Sequence, residues 1–154
     1  MRIATLLRSS TVLAAAAGLL AVVATAPARA ADMTGTFPVC FQSKAAPGAV
    51  SMALNLMVVA PDKTLSGDAT MGQATHPPLD VKLPVKGSYV DIANGRTHAE
   101  LESADMAGRH LAVSMTVGKG WKAAIAHYML WMDTPTGTKT GKAVLRQVAC
   151  TPAK

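Results

Sequence analysis

From Ser51 to Val59 every second side chain is apolar: Met52, Leu54, Leu56 and Val58 fall on one side, with Ser51, Ala53 and Asn55 on the other. A period of two separates residues onto the two faces of an extended strand, and the apolar set marks the face turned to a core. The pattern recurs along the chain. Leu65, Gly67, Ala69 and Met71 fall together; Thr97, Ala99 and Leu101 oppose His98, Glu100 and Glu102; Leu111, Val113, Met115 and Val117 point one way. Three-turn helical segments are hard to place between these runs. The chain therefore reads as an all-β domain of seven or eight strands in an antiparallel meander, a small barrel or a sandwich.

The connections support local pairing. Ala60-Pro61-Asp62-Lys63 turns the chain between two alternating runs, Asn94-Gly95 is a hairpin dipeptide in which both residues tolerate positive φ, and Ala107-Gly108 and Gly118-Lys119-Gly120 close two more turns. Pro84 lies inside Leu79 to Ile92, and because proline removes a ladder donor, this region is expected to be an edge strand or two short strands. Trp121 to Met132 has the alanine content of a helix, but it follows a tight glycine turn after a clean strand, and the strand reading is preferred. It would align Trp121, Ala123, Ile125, His127, Met129 and Trp131, with core packing on that side and Tyr128 at the surface on the other. Asp133 to Gly141 reads as a polar turn and Lys142 to Cys150 as the last strand.

Arg2 and Arg8 precede an apolar run from Ser10 to Ala26 that ends in Ala28-Arg29-Ala30, the layout of a secretory signal peptide. Residues 1–30 are expected to be removed after Ala30. That leaves residues 31–154 as one domain, secreted or periplasmic, with no span long enough to make it an integral membrane protein. The whole chain has a formal charge of +6 from 15 Lys and Arg against 9 Asp and Glu, and the leader holds three of the arginines. In an oxidising compartment Cys40 and Cys150 are expected to pair, which would tie the first strand to the last.

Residues that carry chemistry are sparse. His98-x-Glu100-x-Glu102 places an imidazole and two carboxylates on one strand face and invites a divalent cation, although such a triplet is also what a solvated strand face looks like. No metal is assigned. Met52, Met71 and Met115 sit at inward positions and read as core filling, not soft-metal ligands. The serines lie outside any Gly-x-Ser-x-Gly elbow, so no catalytic residue is assigned; Gly118–Gly120 lacks the remainder of a phosphate loop, so no cofactor is either. The lysines are dispersed, which argues against nucleic acid. They would form a modest basic patch if Gly118–Gly120 and Thr136–Gly141 were adjacent loops. Three of the six aromatic residues outside the leader, Trp121, Tyr128 and Trp131, crowd into one segment with His127. These four are the candidate ligand-binding residues.

Lys63-Thr-Leu-Ser-Gly-Asp-Ala-Thr70, Gln73 to Val81 with its His76-Pro77-Pro78, and Trp121-Lys-Ala-Ala followed by Tyr128 make the chain resemble a small family of uncharacterised exported bacterial β-rich proteins of unknown function, over most of residues 50–132. That resemblance implies a β-rich fold and no catalytic residues. In general layout the chain also resembles small exported eight-stranded barrels, without the Gly-x-Trp start of lipocalins. The function expected is a noncatalytic exported binding or interaction domain for a protein, glycan or small ligand. The alternatives are a small secreted hydrolase and an inhibitor of an exogenous enzyme.

Overall fold

The computed structural model describes residues 35–44, 46–133 and 136–150; the leader and its cleavage point after Ala30 lie outside them. Eight strands follow in order: β1 (Thr36–Ser43), β2 (Ser51–Val59), β3 (Thr64–Gln73), β4 (Leu79–Ile92), β5 (Arg96–Ser103), β6 (Arg109–Val117), β7 (Ala123–Asp133) and β8 (Thr136–Val148). Each pairs antiparallel with the next, and β1 pairs with β8, so the meander closes into a barrel and not a sandwich.

The alternation explains why it closes. Met52, Leu54, Leu56 and Val58 of β2 are all buried, as are Leu65, Ala69 and Met71 of β3, Ala99 and Leu101 of β5, and Leu111, Val113, Met115 and Val117 of β6. An eight-stranded barrel is just wide enough for such side chains to fill it. Phe41, Met52, Leu54, Leu65, Met71, Leu111, Met115, Leu130 and Leu145 are the largest fully buried residues. Lys82, Lys86, Glu100 and Glu102 stand on the outside. Apolar in and charged out is the reverse of a barrel that faces lipid. Among the described residues no helix is long and apolar enough to cross a membrane.

Pro84 does not break its strand. β4 is continuous over fourteen residues, and the ladder shows why. Tyr89 donates its N–H to the Lys63 carbonyl, so odd-numbered residues of β4 bond toward β3 and even-numbered ones toward β5. Pro84 therefore turns its missing donor toward β5, whose pairing with β4 starts only at Val85. The proline sits at a local edge within a long strand.

The faces of β7 are opposite to expectation. Ala124, Ala126, Tyr128, Leu130 and Met132 point inward, whereas Ile125, His127, Met129 and Trp131 are exposed. Residues directly across a ladder share a face, and the register sets Leu111 against Leu130, Val113 against Tyr128 and Met115 against Ala126. Trp121 does not belong to the strand. It ends a short turn, Lys119–Trp121, with φ of 59°. The last strand also begins earlier than the polar composition suggested, since Thr136–Gly141 pair with Asp133–Tyr128 of β7. Only residues 134–135 separate the two strands, and alternating threonines are good strand formers.

A disulfide joins Cys40 to Cys150, with Cα atoms 5.2 Å apart. It lies on the outer side of the wall, because Val39 and Phe41 are the inward residues of that stretch of β1. It clamps the β1–β8 seam, which among the described residues has four ladder pairs, Cys40–Ser43 against Val148–Leu145.

Candidate functional site

The barrel has two differently built ends. Where β2 meets β3, β4 meets β5 and β6 meets β7, the Trp121 indole packs edge-on to Tyr89 at 5.4 Å between centroids and to Phe37 at 6.1 Å. The Lys63 ammonium stands 5.0 Å from the Tyr89 ring centre and binds Asp91 Oδ2 at 2.5 Å. That hydrogen bond holds the Lys63 pKa above its ordinary range. Positive φ at Asn94, Gly95, Gly120 and Trp121 bends two of the turns around this cluster. Trp121 is thus part of an aromatic closure of one end.

Trp131 lies near the other end, roughly 25 Å away along β7 at strand rise, and is 41% exposed on the outer wall. Tyr128 is buried, and its ring lies against Gly141 on β8, its cross-strand partner. Burial pushes its hydroxyl above the ordinary tyrosine pKa. The four candidate ligand residues therefore divide: Trp121 at one end, Tyr128 turned inward, His127 and Trp131 outward on β7. A surface contact through the Tyr128 side chain, expected from the sequence, is replaced by core packing.

What gathers on the outside is a row that single-strand patterns do not reveal. The registers place Ser88 of β4, Glu100 of β5, Ser114 of β6, His127 of β7 and Lys142 of β8 side by side across the wall. Glu100 Oε1 is the hub, accepting the Ser114 hydroxyl at 2.8 Å and meeting His98 Nε2 at 2.7 Å. Glu102 does not join it. Its Oε1 lies 3.2 Å from His110 Nε2 on β6, so the triplet splits between two separate histidine–carboxylate pairs, His98–Glu100 and His110–Glu102. Among the described residues no group of three or more His, Cys, Asp and Glu is arranged to hold a metal.

The row borders an open groove of about 600 Å³, whose lining includes Glu100, Ala112, Ser114, His127, Tyr128, Met129 and Lys142. Ala112 is small and leaves the space; Met129, 52% exposed, forms an apolar side. Beside the groove Ile125 and Val144 face each other across the β7–β8 ladder, 43% and 60% exposed. The outer wall of β7 and β8 thus carries five large exposed apolar side chains: Ile125, Met129, Trp131, Val144 and, at the end of β8, Val148.

Charge is distributed unevenly around the barrel. Residues 60–118 hold Asp62, Asp68, Asp80, Asp91, Glu100, Glu102 and Asp105, whereas residues 36–59 and 119–150 hold one carboxylate, Asp133, against Lys44, Lys119, Lys122, Lys139, Lys142 and Arg146. The turns that were to form a basic patch are at opposite ends: Gly118–Gly120 precedes β7, and Thr136 opens β8 beside the end of β7. The positive surface instead runs along β8 through Lys142 and Arg146.

Ser114, Lys142 and Ile125 are individually plain in the sequence. Their juxtaposition depends on inter-strand register, for which turn lengths are the one sequence signal.

A search of curated proteins returned no match. The family model described as a domain of unknown function, DUF1842, matches residues 34–135, which spans β1 through β7 and stops just short of β8. The match covers well over half of the 154 residues, and the chain belongs to the DUF1842 family.

Proposed function

We propose that the chain is a noncatalytic binding domain, exported from the cell, which engages its partner on the outer wall of β6–β8 and not in its lumen. The observation that carries this is the gathering of Ile125, Met129, Trp131 and Val144 on the outside of a barrel whose interior is already filled. Large apolar side chains clustered on an otherwise polar surface are characteristic of contact sites. Export is supported by the leader-like composition of residues 1–30 and by the disulfide, which is consistent with an oxidising compartment.

A hydrolase draws less support from the same wall. A serine nucleophile needs an imidazole between it and the acid, and here the Ser114 hydroxyl donates directly to Glu100, the carboxylate that also takes His98. Inhibition of an exogenous enzyme is one form that binding on an exposed wall takes.

The test uses Trp131 as reporter in Trp121→Phe protein. Its emission is followed against a panel of glycans and small molecules, and the same protein is used to capture partners from an envelope extract. Binding that perturbs Trp131, and that is lost on Met129→Ser with the melting temperature unchanged, is the expected outcome. Binding indifferent to both Trp131 and Met129 places the contact elsewhere and overturns the assignment.

A further inference from the structure

β8 is longer than its closure. Its thirteen residues pair along β7 from Thr136 to Arg146, but with β1 only from Leu145 to Val148. On the β1 side, among the described residues, no strand pairs with Thr136–Val144. The phase of the ladder shows which groups this leaves. Gln147 donates its N–H to the Lys122 carbonyl at 2.9 Å, on the β7 side. Odd-numbered residues of β8 therefore bond β7, and Thr138, Thr140, Lys142 and Val144 direct N–H and C=O to the side that carries no ladder.

Such a margin is a row of alternating donors and acceptors at the spacing of a strand, the pattern by which an extended peptide adds to a sheet. A glycan or lipid headgroup does not repeat that spacing. The charges around it select the segment. Lys44, Lys142 and Arg146 flank the seam, and β1, β2 and β8 contain no carboxylate; Lys139 instead reaches Gln73 Oε1 on β3 at 2.8 Å. A second copy would bring the same positive margin against itself, which the lysines oppose.

We propose that the margin of β8 between Thr136 and Val144 is a strand-addition site for an extended polypeptide segment carrying carboxylates. The site rests on the binding-domain assignment above and gives it a partner chemistry. Main-chain hydrogen bonds supply the attachment, Lys142 and Arg146 meet outward acidic side chains, and Val144 with Ile125 continues the apolar wall beneath them.

Amide hydrogen exchange on the disulfide-bonded protein at low concentration tests this, with a blocked peptide alternating glutamate and valine as the probe. In the free protein the amides of Thr138, Thr140, Lys142 and Val144 are expected to exchange about 100-fold faster than those of Lys139, Gly141 and Ala143. The peptide slows the four by about tenfold or more, whereas its lysine–valine counterpart does not. Thr140→Pro removes no bond to β7, so it keeps the melting temperature and abolishes the effect, and Lys142→Glu weakens the response to the acidic peptide. Protection of the four amides in the free protein overturns the proposal, as does an acidic peptide without effect at millimolar concentration. Protection that grows with protein concentration alone assigns the margin to a second copy and also overturns it. A partner that survives Thr140→Pro but is lost on Met129→Ser sinks the strand-addition site while leaving the wall of β6–β8 standing.

Discussion

At Gly141 a side chain is excluded by a neighbour and not by the backbone. A Cβ there would lie 2.5 Å from Tyr128 Oη and 2.7 Å from Cζ, so the glycine is the space into which the tyrosine folds. Gly141→Val is expected to destabilise the barrel by roughly 1–3 kcal/mol, the usual cost of overpacking. Tyr128→Leu in the same chain should recover part of that loss, because the two sites are in contact and their effects do not add; urea unfolding of the two single variants and the double variant measures it. Tyr128 also sets a pH dependence. Burial raises its pKa above the ordinary 10.0, so as pH rises the unfolded chain ionises first and is favoured. Stability is fully present below about pH 10 and falls above it. Lys63, raised by its bond to Asp91, adds a loss in the same direction. Tyr128→Phe is expected to flatten the alkaline fall without abolishing it, and an unchanged slope would remove Tyr128 as a cause.

Among the elements, the β1–β8 seam is the one most dependent on a covalent tie. It has four ladder pairs, where β7 and β8 share eleven, and the disulfide beside it closes a loop with a sequence separation of 110. Loop closure of that length stabilises by roughly 4–5 kcal/mol in the chain-entropy picture. Reduction, or Cys40→Ser with Cys150→Ser, is expected to lower the unfolding free energy by an amount of that order and to speed amide exchange in β1 before β3 or β6. Uniform exchange would show that the seam is no weaker than the rest. The seam also marks what was legible beforehand. The strand phases of β2, β3, β5 and β6 and the cysteine pairing follow from residues within a single strand or compartment. The faces of β7 did not, since the bulk of Trp121 and Trp131 suggests a core side, whereas pairing with Leu111, Val113 and Met115 turns Tyr128 inward. The continuity of β4 through Pro84, the early start of β8 and the row from Glu100 to Lys142 likewise depend on which residue lies across the ladder. Alternation within one strand does not contain that information.

For the whole molecule the deciding property is what occupies the lumen. Eight strands either enclose side chains alone or leave room for one small ligand, and here Phe41, Leu54, Met71, Met115 and Leu130 converge from around the wall with no more than 1% exposure each. The aromatic cluster of Trp121, Tyr89 and Phe37 packs across one end as well. Fatty acids, retinoids and other apolar ligands are therefore expected to leave the melting temperature unchanged. The null result is readable: a ligand present at 100 times its Kd stabilises by about 2.7 kcal/mol, or roughly 10 °C for a domain of this size. A saturable shift of that kind would mean that the interior opens, and would return the binding site from the wall to the lumen. Phe41→Ala supplies the positive control. It should cost roughly 3–5 kcal/mol and leave a dry apolar cavity, so benzene-sized ligands should raise the melting temperature of this variant and not that of the parent. If the parent responds as the variant does, the core is not filled and the exposed wall loses its claim to be where this barrel binds.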